Sequence, residues 1–410
     1  MHILFLSDNF PPEVNAPASR TFEHCRIWAQ AGHQITVITC APNFPSGKVF
    51  AGYKNKLWQT EEMDGIRVIR VWSYITANEG FIKRILDYVS FMLSAVPAAL
   101  FVRKPDLVIG TSPQFFTACA AYLVGVLKRI PFVFELRDIW PESIKAVGAM
   151  KESPLIRLLE KIELFLYRKA RLIVSVTHSF KTILIRRGIA GDKIQVITNG
   201  VDAARFFQLN KDTDLVNQYQ LENQFVAGYV GTHGMAHHLE TILEAAAIAQ
   251  TNGDNMKFIL LGNGARKVEL VKLASDMRLQ NVIFIDSVPK AEVPRYWSLL
   301  DASIIHLKKS ELFTSVIPSK LFECMAMGIP VLHGVAGESA DIVRNNEAGL
   351  VFEPEDAKAL YTYLSKLKSD STLYAKLQAN GLKAAQKYDR THLANEFLSL
   401  LVALNASRQR

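Results

Sequence analysis

The stretch Phe313 to Leu332, FTSVIPSKLFECMAMGIPVL, holds the residues of this chain best suited to handling a phosphate. Ile317 and Pro318 interrupt any preceding element, Ser319 offers an N-cap, and Lys320 to Met327 alternates polar and apolar residues at helical spacing until Gly328 stops the helix. Ile329-Pro330-Val331-Leu332 then reads as a short buried strand. A helix that starts out of a loop leaves its first N–H groups open, and beside them the Lys320 ammonium makes a cationic cradle for phosphate. One turn further on, the Glu323 carboxylate can accept two hydrogen bonds from a vicinal diol such as a ribose. The same spacing also fits a plain surface helix whose Lys and Glu face water.

Other stretches carry weaker chemical signals. Glu135-Leu136-Arg137-Asp138-Ile139-Trp140-Pro141 puts two acids and a base at the end of an apolar run; charges there are costly unless they face a cleft, which favours function over a structural ion pair. Gly262-x-Gly264 follows FILLG and reads as a tight turn before a helix. Asp212-x-Asp214 reads as a solvated acidic loop. His233, His237 and His238 cluster in GTHGMAHH without the spacing of a zinc site. With no metal expected, a pyrophosphate would be neutralised by helix N-termini and basic side chains. The first strand-to-helix turn, Ser7 to Pro12, lacks the glycine fingerprint of a dinucleotide fold.

The elements that must position these residues alternate regularly. Apolar runs near 2–7, 35–40, 66–72, 106–110, 131–136, 171–176 and 194–198 are continuous rather than alternating, the pattern of parallel strands covered on both faces. Helical segments near 16–31, 80–103, 113–128, 154–170 and 178–187 separate them. A polar stretch, 203–224, marks a boundary, after which strands near 225–231, 257–262, 281–285, 302–306, 329–332 and 349–352 repeat the rhythm. The pattern predicts two doubly wound α/β domains, 1–202 and 203–385, with a helix in 386–410 packing back on the first. Ligands in such sheets bind beyond the carboxyl ends of the strands, so a cleft between the two domains is the expected seat of chemistry.

With 410 residues, 49% apolar and 21% charged, the chain is globular and too long for one core. The four cysteines are scattered among apolar neighbours, which argues against a disulfide frame. MHILFLSDNF reads as a strand and not as a signal peptide. The net charge of +8 is uneven: residues 1–200 hold 25 Lys and Arg against 16 Asp and Glu, residues 201–410 hold 22 against 23. Such a basic half suits an anionic membrane or a phosphorylated lipid; no nucleic-acid-binding signature accompanies it. Tyr88 to Val102 is an apolar run flanked by Lys83, Arg84, Arg103 and Lys104, and Leu155 to Leu172 is amphipathic with five basic residues. Core helices with one solvated face explain both equally well, and the uneven charge favours peripheral membrane contact.

Seven segments in order, HILFLSDNFPPE, ELRDIWPES, VITNGVD, YVGTHGM, LLGNGA, SKLFECMAMGIPVL and GESADIVRNNEAGLVFEPED, resemble glycosyltransferase family 4, the retaining GT-B enzymes. Within it the chain is similar to the bacterial O-antigen and capsule branch that transfers N-acetyl-L-fucosamine. The resemblance implies a UDP-sugar on the C-terminal domain and, as acceptor, an undecaprenyl-diphosphate-linked saccharide on the N-terminal one, at the cytoplasmic face of the inner membrane. It implies no metal and no nucleic acid. Carried over by position, Glu323 would bind the ribose; Ser319, Lys320 and Leu321 the diphosphate; Gly231 and Thr232 would pass close to it; Asn263 and Val288 would flank the base; and Arg137 and Asp138 would stand near the transferred sugar. Ser315 stands where the first glutamate of the E-x7-E pattern is usual, and Thr232 and His237 stand where Arg and Lys are usual. Ser315 in place of that glutamate, with Arg137 where many relatives carry histidine, implies a donor without the ordinary hexose hydroxyl pattern, while Thr232 and His237 leave Lys320 and backbone amides to neutralise the diphosphate. A UDP-sugar 2-epimerase of the same fold, or a non-catalytic sugar-nucleotide binder, are the alternatives.

Overall fold

The computed structural model describes residues 1–44, 46–76, 81–139 and 154–409, and it divides into two compact units, Met1–Thr198 with Thr391–Arg410, and Asn199–Arg390. Arg84 is without a described side chain, and Trp140 and Pro141 lie outside the described residues.

The first unit is built on an eight-stranded sheet, ordered β3-β4-β2-β1-β5-β6-β7-β8. Its strands are β1 (His2–Leu6), β2 (Gln34–Cys40), β3 (Trp58–Met63), β4 (Ile66–Val71), β5 (Leu107–Thr111), β6 (Phe132–Leu136), β7 (Leu172–Ser175) and β8 (Ile194–Val196). All pairings are parallel except β3 with β4. The order departs from sequence at β1, where the chain turns back, and ligands of such sheets gather beyond that point. Helix α1 (Ala16–Gln30) starts cleanly because the Asn15 side chain accepts from the Ala18 N–H at 2.8 Å and Pro17 presets the first turn.

Two layers of helix cover this sheet because its strands are apolar on both faces. On one side α1 packs with the last helix, α14 (Arg390–Gln409). Trp28 donates its indole N–H to the Ala394 carbonyl at 2.8 Å and meets Phe397 edge-on at 5.2 Å. On the other side lie α2 (Phe81–Leu100), α3 (Phe115–Lys128), α4 (Pro154–Lys169) and α5 (His178–Arg186), around Phe91, Phe134 and Tyr167. The antiparallel β3 was not foreseen: WQTEEM has no apolar alternation and lies at the sheet's edge, with β4 as its strand neighbour.

The second unit has a wholly parallel six-stranded sheet, β11-β10-β9-β12-β13-β14. These are β9 (Phe225–Val230), β10 (Met256–Leu261), β11 (Val282–Ile285), β12 (Ala302–His306), β13 (Val331–Gly334) and β14 (Gly349–Val351). The helices are α6 (Thr213–Gln218), α7 (Glu240–Thr251), α8 (Lys267–Asp276), α9 (Val293–Trp297), α10 (Lys320–Ala326), α11 (Glu338–Asn345), α12 (Ala357–Ser369) and α13 (Ser371–Lys387). Helix α6 corrects the reading of Asp212-x-Asp214 as a solvated loop. Asp212 caps that helix, accepting from the Leu215 N–H at 3.1 Å, and pairs with Arg295 at 2.7 Å. Cys25, Cys40 and Cys324 are buried thiols and Cys119 is half-buried.

Candidate functional site

In the second unit α10 brings Lys320 to the carboxyl end of β9. The helix is pinned by its apolar face, where Leu321, Phe322 and Met325 are fully buried, and by the Cys324 thiol, which donates to Ser303 Oγ on β12 at 2.9 Å. It stops at Gly328, whose φ of 69° lets the chain turn back toward β13. So fixed, the Lys320 ammonium lies 3.7 Å above the centre of the Tyr229 ring, and the Tyr229 hydroxyl donates to the Thr232 carbonyl at 2.9 Å. Gly231, at φ 146°, makes room for it: a Cβ there would stand 2.5 Å from Lys320 Nζ. Among the described residues Lys320 forms no ion pair. Burial lowers its pKa to about 8, against the nearby Cys324 and Glu323.

Two glycine-containing loops interlock beside this lysine. Gly231 N–H donates to the Leu261 carbonyl and His233 N–H to the Asn263 carbonyl, both at 2.9 Å. A Cβ on Gly262 would run into the Gly231 carbonyl, and one on Gly264 into that of His233. The glycines of G-x-G therefore serve close approach of two backbones, which a tight turn alone does not require. His233 is buried without a hydrogen bond to either ring nitrogen among the described residues, and burial with the charges of Lys267 and Lys320 lowers its pKa to about 4. Burial likewise takes His237 to about 4, helped by Lys320. Both imidazoles are therefore neutral at pH 7.

Ser319 precedes α10 but makes no side-chain cap bond, which corrects its reading as a capping residue. The Leu321 N–H donates to the Pro318 carbonyl at 3.0 Å and the Phe322 N–H to that of Ser319 at 3.1 Å. The Leu321 amide is thus spent in a tight first turn, leaving those of Ser319 and Lys320 for an anion. Glu323 is half-buried; burial raises its carboxyl while Arg390, Lys320 and Lys290 pull it down. Neither Lys320 nor Glu323 stands in open water. Val288 packs against the core, Asn263 is exposed and Thr232 is exposed. Ser315 closes a 3-10 turn, donating to the Leu312 carbonyl at 3.2 Å, in a loop that leans on Gly337. Gly231, Thr232 and Lys320 are thus in contact around Tyr229.

Arg137 and Asp138 belong to the first unit, just past β6. Ser112 fixes their backbone: its hydroxyl accepts from the Arg137 N–H at 2.7 Å and the Asp138 N–H at 3.1 Å. Glu135 does not join them as a site acid. It is fully buried and paired with Arg20 at 2.9 Å, and Arg20 also donates to the Ile197 and Thr198 carbonyls at 2.9 and 2.7 Å. Burial pushes the Glu135 carboxyl up, but Arg20 and then Arg137 outweigh it and hold it below the usual range.

Sequence reasoning missed a second group in this unit. Asp8, in the turn after β1, accepts from the Gln114 amide, and Glu13 accepts from the Asn43 and Phe44 N–H groups at 2.7 and 2.9 Å. Burial raises all three of Asp8, Glu13 and Asp87, Glu13 to about 6 and Asp87 to about 8, and the mutual repulsion of the carboxylates adds to the shift of the last two. The only signal was two acids in SDNFPPE; Asp87, on a helix far along the chain, gave none.

The pattern of Glycosyltransferase Family 4 matches residues 18–205, and that of Glycosyl transferases group 1 matches residues 211–384. The chain belongs to these glycosyltransferases. It is 26% identical over 337 residues to the putative colanic acid biosynthesis glycosyl transferase WcaI of Escherichia coli, covering 80% of this chain and 82% of that one. It is 22% identical over 364 residues to a GDP-mannose-dependent alpha-mannosyltransferase of Mycolicibacterium smegmatis, covering 86% and 84%. Anabaena HepE, solved in complex with UDP and glucose, superposes with a TM-score of 0.71 at 18% identity over 98% of this chain and 99% of that one. The fold is GT-B, and both matching families are transferases, which does not favour the epimerase alternative.

Proposed function

We propose that this glycosyltransferase moves an N-acetylated 6-deoxyaminosugar, with N-acetyl-L-fucosamine the best fit, from UDP to an undecaprenyl-diphosphate-linked saccharide, in O-antigen or capsule biosynthesis. The observation that carries the reading is the Lys320 ammonium held between the Tyr229 ring and the Gly231 backbone, with no ion pair among the described residues. A half-buried cation so placed is suited to a diphosphate. The Ser319 and Lys320 amides add donors, Glu323 takes the ribose hydroxyls, and Asn263 and Val288 flank the base. No divalent metal is needed for this charge balance.

Arg137 and Asp138 act on the transferred sugar, and the departing phosphate takes the acceptor proton, with retention at the anomeric carbon. Ser315 leaves the sugar without the carboxylate that would grip ordinary hexose hydroxyls. Support for a polysaccharide role comes from relatives such as WcaI, whose description names colanic acid biosynthesis. Support for UDP comes from HepE. A GDP donor is the second reading, because the mannosyltransferase that matches most of the chain is GDP-mannose-dependent.

Turnover of UDP-N-acetyl-L-fucosamine, UDP-glucose, UDP-N-acetylglucosamine and GDP-mannose on a soluble analogue of the lipid-linked acceptor tests the reading, with EDTA present. The first donor is expected to be preferred, with the rate unaffected by the chelator. Preference for an ordinary hexose overturns the sugar assignment, preference for GDP-mannose the nucleotide, and a rate abolished by EDTA the metal-free charge balance.

A further inference from the structure

Beyond the carboxyl ends of β1 and β5, where the first sheet reverses its order, three acids from distant parts of the chain come close enough to repel one another. Asp8 follows β1, Glu13 precedes α1 and Asp87 lies on α2. Gln114, just past β5, donates its amide N–H to Asp8 Oδ2, and one oxygen of Glu13 takes both the Asn43 and Phe44 N–H groups. Asp8 and Asp87 are half-buried, whereas Glu13 is 4% exposed and Gln114 8%. Among the described residues none of the three carboxyls forms an ion pair, and Asp8 Oδ1, Glu13 Oε2 and the Gln114 amide oxygen are buried without a hydrogen-bond partner.

Each of those unpartnered atoms is an oxygen that accepts, and a buried acceptor without a donor is costly. Arg70, whose charge eases Glu13, is spent on Glu61 and on the Cys40 and Pro11 carbonyls. Among the described residues no group of His, Cys, Asp and Glu is arranged to hold a metal ion. Burial first, and then the neighbouring carboxylates, raise Asp87 to about 8, so at neutral pH it mostly keeps its proton and offers an O–H beside its lone pairs. Such a mixture suits hydroxyl groups, which donate and accept in turn. Two aromatic rings are tied to the same place. Phe44 is held through its N–H on Glu13, and the Tyr74 N–H donates to Ser90 Oγ at 2.7 Å, while that hydroxyl donates to the Asp87 carbonyl at 2.7 Å. Both rings are 41% exposed. Aromatic faces with a few convergent polar groups make a small-molecule site, and here the rings can cover the apolar face of a pyranose.

We infer that Asp8, Glu13 and Asp87, with Gln114 and the Phe44 and Tyr74 rings, form a subsite for the acceptor's sugar that takes a neutral, hydroxyl-rich ring and refuses one bearing a carboxylate. The refusal follows from charge: a uronic acid would set its own carboxylate against three acids that already repel one another, and like charges brought together in a binding site are strongly disfavoured. The subsite is well placed for transfer, since Gln114 lies two residues after Ser112, which holds the Arg137 and Asp138 backbone. The inference rests on the proposed use of a saccharide acceptor, and it adds which acceptors are excluded and by which residues. Its test reads acceptor binding alone and needs no donor sugar.

Calorimetry on the full chain with saturating UDP compares farnesyl diphosphate carrying glucose, glucuronic acid or glucosamine, and the three galactose counterparts, with bare farnesyl diphosphate as the baseline. In at least one series the neutral sugar is expected to bind about tenfold or more tighter than its uronic acid. Asp87→Lys reverses that preference, an outcome that a merely structural role for Asp87 would not produce. Tyr74→Ala weakens the neutral sugar by about tenfold and leaves the ratio of neutral sugar to uronic acid as it was. UDP affinity and circular dichroism stay at wild-type values in both variants, showing that they fold. Equal binding of neutral sugar and uronic acid, preference for the uronic acid, no binding above the baseline, or a preference that survives Asp87→Lys overturns the inference. So does tighter binding of the amino sugars, which would make the cluster a site for a cation. The predicted preference without transfer from any UDP-sugar would overturn the proposed function and leave the subsite standing.

Discussion

Arg20 and Lys320 are both cations brought by a helix to the carboxyl side of a parallel sheet, one in each unit, and their surroundings are opposite. Arg20 is saturated by Glu135 and the Ile197 and Thr198 carbonyls. Lys320 has an aromatic face, a glycine and, among the described residues, no ion pair, with Glu323 near but unbonded to it. The difference separates a charge kept for stability from one kept for a ligand. A buried ion pair already balanced has nothing left to offer, while a half-buried unbalanced cation raises the energy of the free protein and regains it when an anion binds.

The largest expected effect breaks the first half of the pair. Arg20→Ala leaves Glu135 buried and uncompensated, at a cost of about 3–5 kcal/mol, visible as a fall in Tm of roughly 6–20 °C in a unit of this size, with UDP affinity unchanged at temperatures where the protein is folded. Because Glu135 has its pKa lowered in the folded state, its contribution is present at neutral pH and is lost as pH falls through the folded value. That loss sets in within the ordinary glutamate range, where the unfolded carboxyl takes up its proton, and is complete only below it. A Tm unaffected by Arg20→Ala would erase the contrast.

Lys320→Ala comes next and has the inverse signature. UDP affinity, measured by calorimetry, falls by about 10- to 100-fold, the worth of a charge-assisted contact to phosphate. Tm stays level or rises, since a desolvated ammonium is removed. Lost stability with retained affinity would exchange the roles of the two cations.

Gly231→Ala is the finer cut. The added methyl meets Lys320 Nζ and demands a φ that alanine resists. UDP affinity is expected to drop about tenfold while Lys320 itself is intact. An unchanged affinity would mean that the ammonium's seat over Tyr229 is incidental.

The smallest effect is on pH. With Lys320 lowered to about 8 in the free protein and raised again beside a diphosphate, UDP affinity holds below pH 8 and declines as pH rises through it. Lys320→Arg removes the decline, because a guanidinium stays charged. A wild-type affinity flat across this range contradicts the assignment.

How much of this was legible in the sequence differs by the range of the interaction. Continuous Val, Ile and Leu runs announced the parallel strands to within a residue or two, and Gly328 marked the end of α10, because such signals are local. WQTEEM hid β3, since an edge strand with polar faces lacks periodicity. Glu135 was misread as a cleft acid because its partner lies 115 residues earlier, and no spacing rule links Arg20 to it. Ser112, which holds the Arg137 and Asp138 backbone, was invisible for the same reason. Gly262 and Gly264 were seen as a turn, but their use depends on a second loop at 231–233 that only folding brings near. Lys320 stood out by type and position; that its neighbour would be an aromatic ring and not a carboxylate did not.

Proton uptake on UDP binding at pH 8, obtained by calorimetry in two buffers of different ionisation enthalpy, tests the role of Lys320 most directly. Uptake of about half a proton per UDP is expected from a group half-titrated in the free protein and fully charged in the complex, and it should vanish in Lys320→Ala. No uptake by the wild type, or the same uptake by the variant, would contradict it.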